Sequence, residues 1–163
     1  MWTSPRALVL TLLLVAPGVG ATPALAQDAS FGDRSRLAAA TPLGVQAVVE
    51  WDDLITETAG GATEDQFHDA VIQTFENKLA ELGVSLDPAA ERFLLCRVET
   101  LYDSGLIAFA ARVELHEPFG DGSSTAITWH QTWIGTTPVR GMHMLFTIGE
   151  QCAEDFVEAR GDA

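Results

Sequence analysis

Glu114, His116 and His130 are the side chains of this chain best suited by type and spacing to hold a metal ion. Successive residues of a β-strand point to opposite faces. Alternation along residues 106–116 therefore puts Glu114 and His116 on one side of a strand. Alternation along 125–135 puts His130 on one side with Thr128 and Thr132. If these strands pair, the two imidazoles lie opposite each other beside a carboxylate, a set that can bind zinc. The competing reading is a pair of histidines on a wet sheet face, and no tight spacing of the H-E-x-x-H kind supports the metal.

Other chemistries are poorly served. The stretch Gly120-Asp121-Gly122-Ser123-Ser124 has the wrong spacing for a nucleophile elbow and reads as a turn. Asp52 and Asp53 are adjacent, so in an extended chain they point apart and cannot share acid–base work. Asp121 and Ser123 lack the further ligands of a calcium loop. No glycine-rich phosphate loop is present. The sequence therefore names no catalytic residue and calls for no cofactor.

The two cysteines, Cys96 and Cys152, are expected to pair. Cys96 shares a strand side with Leu94 and Val98. Cys152 shares a helix side with Leu145 and Phe156. If that helix packs on that strand, both sulfurs enter one layer, and exported compartments let such bonds persist. The competing readings are two buried thiols acting as small apolar residues, or a dimer linked through one cysteine.

Glu150, Glu154 and Glu158 stand four apart, so on a helix they form one acidic stripe. Like charges at that spacing are unfavourable by roughly a few tenths of a kcal/mol per pair. The stripe reads either as a solvated face or as a docking surface for a basic partner. Trp51, Trp129 and Trp133 fall on apolar sides and read as core rather than as a ligand platform.

These residues have to be positioned by regular elements. Residues 91–116 read as two strands around Asp103-Ser104-Gly105, with Leu94, Cys96, Val98, Thr100 and Tyr102 on one side and Arg97 and Glu99 on the other. The second strand sets Ile107, Phe109, Ala111, Val113 and Leu115 against Arg112, Glu114 and His116. An earlier strand at 43–52 carries Val45, Ala47, Val49 and Trp51 on one face. A later strand at 125–135 is expected to bury Ile127, Trp129 and Trp133 together. The clearest helix spans 64–82. Thr63 and Gln66 form a capping box, Phe67, Val71, Phe75 and Leu79 form its stripe, and Gly83 suits a left-handed stop. A last helix is expected from about 138 or 140 to 160, weakened by Gly141 and Gly149 by up to about 1 kcal/mol each.

The order is β-α-β-β-β-α. It predicts an α+β fold: a two-layer sandwich of a four-stranded sheet with two helices on one face, the first strand joining in parallel. The other face would be polar. Over residues 43–160 this order resembles that of some envelope assembly proteins, such as the lipopolysaccharide-assembly lipoprotein and the amino-terminal domain of the translocation protein TolB. The resemblance is one of element order; no motif is shared and the lipoprotein cysteine is missing.

The start of the chain reads as an export signal. Arg6 precedes the apolar run ALVLTLLLVA, and Ala24-Leu25-Ala26 matches a small-x-small cleavage site, making Gln27 the expected mature N-terminus. A cut after Ala21 and an uncleaved anchor are the alternatives, and the run is short for a membrane span. Residues 1–26 are thus expected to be a signal peptide, 27–42 a flexible linker, and 43–163 a single domain. The formal net charge is −14, and Arg6 is the only charge that the signal carries. So acidic a protein repels nucleic acid and anionic membranes. The function expected from these features is a periplasmic or secreted, non-enzymatic binding or envelope-scaffold protein with a protein partner and no membrane span after cleavage. The alternative is a small exported hydrolase or ligand-binding protein with a pocket at Glu114, His116 and His130.

Overall fold

The computed structural model describes residues 26–32, 34–38, 42–59, 63–122 and 124–161. They form five strands: β1 (Ala26–Gly32), β2 (Gly44–Glu50), β3 (Phe93–Asp103), β4 (Leu106–Phe119) and β5 (Ser124–Pro138). The helices are α1 (Asp53–Ala59), α2 (Glu64–Glu81) and α3 (Ile148–Gly161), with 3₁₀ segments at Arg34–Ala38 and Val139–Thr147. The signal peptide reading rests on residues 1–26, which lie outside the described residues except for Ala26.

The α+β sandwich is as expected from residue 43 onward. Strands β3, β4 and β5 form an antiparallel meander, and β2 lies parallel to β3, with Val45 opposite Leu94. The β3–β4 turn is tight because Ser104 and Gly105 both take positive φ, at 49° and 89°, which twists the chain in the sense the strands need. Helix α2 starts at the capping box: Gln66 N–H donates to Thr63 Oγ1 at 3.3 Å, and Thr63 N–H donates to Gln66 Oε1 at 3.2 Å. Gly83, at φ 79°, follows its end. One contiguous core runs between the helices and the sheet, filled by Phe67, Phe75, Leu94, Val113, Trp129 and Phe156 among others. All three tryptophans expected in the core are buried there.

Four features depart from the sequence reading. First, the segment read as a flexible linker carries a strand and a turn. β1 pairs antiparallel with the outer edge of β5, so the sheet has five strands in the order β1-β5-β4-β3-β2. Leu37 of the following 3₁₀ turn is buried. The open edge of β5 offers unpaired backbone groups, and pairing satisfies them without any periodicity in the added strand. Second, a bulge between Leu115 and His116 leaves Thr128 without a partner, so Ile127 turns away from Trp129 to the open face and is exposed. Third, the last helix is shorter. Pairing of Pro138 with Leu106 carries β5 beyond Gly135, a 3₁₀ segment follows, and α3 starts only at Ile148. Fourth, residues after Asp52 form α1, whose Ile55 is buried. Asp52 accepts from Leu54 N–H at 2.9 Å and Tyr102 N–H at 2.8 Å, so it caps α1 and ties it to β3.

Candidate functional site

The face of the sheet opposite the helices is neither flat nor uniformly polar. Residues directly opposite each other on neighbouring strands share a face, so the register lays the open face out in rows. One row runs Glu50, Glu99, Ala110, Ile134; the next runs Leu101, Ala108, Thr136. Ala108 and Ala110 are the only side chains that β4 places in these rows. They are short, so the surface dips along β4 between Leu101 and Glu99 on one flank and Ile134 and Thr136 on the other. The result is a hollow of about 510 Å³, with Glu50 outboard of Glu99 at its rim. Leu101 and Ile134 stand 63% and 50% exposed on its two sides. Leu106, at the end of β4 beyond Ala108, is exposed as well.

Two arginines close the inner end. Arg97 Nη1 pairs with Glu50 Oε1 at 3.5 Å. Arg112 donates from Nε to Thr132 Oγ1 at 3.1 Å and from Nη1 to Glu114 Oε1 at 3.3 Å. Glu99 is exposed, and its carboxylate has no hydrogen-bond or ion-pair partner among the described residues.

The expected metal set is arranged differently. Because of the bulge, His116 stands opposite Ile127, and it is Glu114 that stands opposite His130; the two histidines do not face each other. His116 Nε2 bonds Glu114 Oε2 at 2.7 Å, and its ring stacks on Phe93 with centroids 4.6 Å apart. Among the described residues no group of three or more His, Cys, Asp or Glu side chains is placed to hold a metal ion. The hollow lies further along the sheet, so Glu114, His116 and His130 do not line it.

Glu114 is also not on a wet surface: it is 2% exposed, enclosed by Leu95 opposite on β3 and by the His116 and Arg112 side chains along β4. A carboxylate this buried is tolerated because both oxygens are occupied by donors. Replacing Glu114 with alanine is expected to lower unfolding stability by about 2 kcal/mol, since it strands two polar partners on a closed surface. Urea denaturation checks it, and the loss should shrink in the background of His116→Ala, as a pairwise coupling requires.

The acidic stripe is exposed on α3, with Glu154 engaged by Lys78 of α2 at 3.0 Å. The bond from Glu154 and its charge, with smaller help from Glu81 and Glu150, hold the Lys78 ammonium above its ordinary pKa. The stripe is thus partly neutralised from within the chain. The cysteines meet as expected: Cys96 of β3 and Cys152 of α3 form a disulfide with Cα atoms 6.1 Å apart.

The residues of the hollow went unnoticed in the sequence because each is unremarkable alone. The available signal was Leu101, Ala108, Ala110 and Ile134 occupying outward positions where alternation called for polar residues.

No family model matches the chain, and a comparison with curated proteins finds no relative. Among solved structures, the chain is similar to a variant PelC dodecamer from Paraburkholderia phytofirmans, with 15% identity and TM-score 0.47, covering 80% of this chain and 95% of that one. A second PelC dodecamer from the same organism has 16% identity and TM-score 0.46, covering 82% and 96%. At this distance the likeness transfers no function.

Proposed function

We propose that this is an exported, non-enzymatic binding or scaffold protein of the cell envelope, whose working surface is the open face of the sheet. The observation that carries the reading is the apolar hollow over Ala108 and Ala110, left uncovered by the helices and walled by exposed Leu101 and Ile134. Contiguous apolar surface of this kind on a folded domain marks an interaction site more often than a solvated one. The leader features of the sequence and the Cys96–Cys152 bond support export, because such bonds persist in oxidising compartments. No helix among the described residues is long and apolar enough to cross a membrane.

The test places a photo-crosslinking amino acid at Leu101, and in a control at Gln73 on the exposed side of α2, in the chain expressed with its own leader. The expected outcome is a discrete adduct from Leu101 that Ala110→Arg abolishes, on a chain whose mass begins at Gln27. Equal labelling from both positions, or a chain retaining Met1 in the cytosol, would end the proposal.

A further inference from the structure

We infer that the occupant of the hollow is a basic segment of a partner protein, which seats an apolar side chain between Leu101 and Ile134 and sets a lysine or arginine against Glu99. This rests on the open face being the working surface, and it adds the chemistry of what binds there.

Shape argues for a macromolecule. A site for a small ligand encloses most of its surface. Here the walls are single side chains, Leu101 and Ile134, both at least half exposed, over a floor of Ala108 and Ala110. Such a dip accepts a side chain that protrudes from another protein, the arrangement of an interface hot spot ringed by weaker contacts.

Charge argues for a basic one. Glu50 and Glu99 are direct partners on the adjacent strands β2 and β3, and like charges so placed repel. Arg97 relieves Glu50, and Arg112 is turned to Thr132 and Glu114. Glu99 is left beside the apolar floor with no cation among the described residues. A cation carried by the partner completes the row and also fixes the direction in which the segment lies. A second copy of this chain fits poorly. A two-fold contact through this face brings the same patch of each copy together, Glu99 near Glu99, in a protein of net charge −14. An anionic membrane is repelled for the same reason.

The test is a fluorescence-anisotropy titration of the purified full chain with three labelled heptapeptides: alternating leucine and lysine, alternating leucine and glutamate, and alternating serine and lysine. The leucine–lysine peptide is expected to bind best. Glu99→Gln should weaken it about fivefold, an effect that fades in high salt. Ala110→Arg should weaken it at least about tenfold by filling the floor. A leucine–glutamate peptide that binds as well and is still blocked by Ala110→Arg overturns the basic partner while leaving the open face as the working surface. A serine–lysine peptide that binds as well, indifferent to Ala110→Arg, overturns the inference by showing charge attraction without the hollow. Absence of leucine–lysine binding overturns it too, and the Leu101 crosslink then decides separately on the face itself. Sedimentation with neutral phosphatidylcholine vesicles, lost in Ala110→Arg, would replace the protein partner with a lipid surface.

Discussion

Removing the Cys96–Cys152 bond, by replacing both residues with alanine, is expected to lower unfolding stability by about 4 kcal/mol in the chain-entropy account of cross-links. The two cysteines are 56 residues apart, so the bond closes a long loop that includes β4, β5 and the 3₁₀ segment after them. It joins β3, which is paired on both sides, to the terminal helix, and both residues are fully buried. Without it, the unfolded chain regains the freedom of that loop, and α3 is held by side-chain packing alone. The measurement is urea unfolding of the oxidised protein, the reduced protein and the double variant. The reduced protein should fall with the variant, because the loss belongs to the cross-link rather than to the sulfur volume. Equal midpoints for oxidised and reduced protein would show that packing of α3 on the sheet suffices.

Changing Gly149 to alanine is expected to destabilise the fold by about 3 kcal/mol, the upper part of the range for forcing extra volume into a packed layer. The sign is the point of interest. Helix propensity alone has alanine favoured over glycine by up to about 1 kcal/mol, so a reading of α3 in isolation expects a gain. Gly149, however, sits where α3 meets α2. A Cβ there would overlap the carbonyl oxygen of Val71 and Oγ1 of Thr74, and would lie 2.7 Å from the backbone nitrogen of Phe75. Backbone of a neighbouring helix cannot step aside as a flexible side chain can, so the two helices must separate and loosen Phe75, Ile148 and Cys152 with them. Gly161 is the control: nothing lies within 4 Å of its would-be Cβ, and Gly161→Ala should be neutral or slightly stabilising. Thermal unfolding of the two variants side by side checks the contrast. A stabilised Gly149→Ala protein would refute the close approach of α2 and α3.

Much of the framework is legible in the chain because it is encoded locally. The start of α2 depends on Thr63 and Gln66, three residues apart, and its inner face on a repeat of three and four. Neither needs a distant partner to be recognised. The β3–β4 hairpin depends on a two-residue turn at Ser104-Gly105 between alternating strands. The disulfide was also readable, although its partners are far apart, because only two cysteines exist and each lies on the apolar side of its element.

What the tertiary structure alone decided involves contacts whose sign or side depends on a neighbour. One unpaired residue, Thr128, reverses the facing of Ile127 and moves His130 from opposite His116 to opposite Glu114, since side chains alternate with a period of two and a single insertion inverts all that follows. Strand β1 exists because β5 has an edge to pair with, and pairing at an edge requires backbone groups rather than a hydrophobic pattern. Gly149 looks like a weakness along α3 and becomes a requirement only when α2 lies against it. Glu50, Glu99, Leu101, Ala108, Ala110 and Ile134 come from four strands, and nothing in their spacing along the chain links them. They form a hollow because strand register aligns them across the sheet and because two alanines leave the space between unfilled.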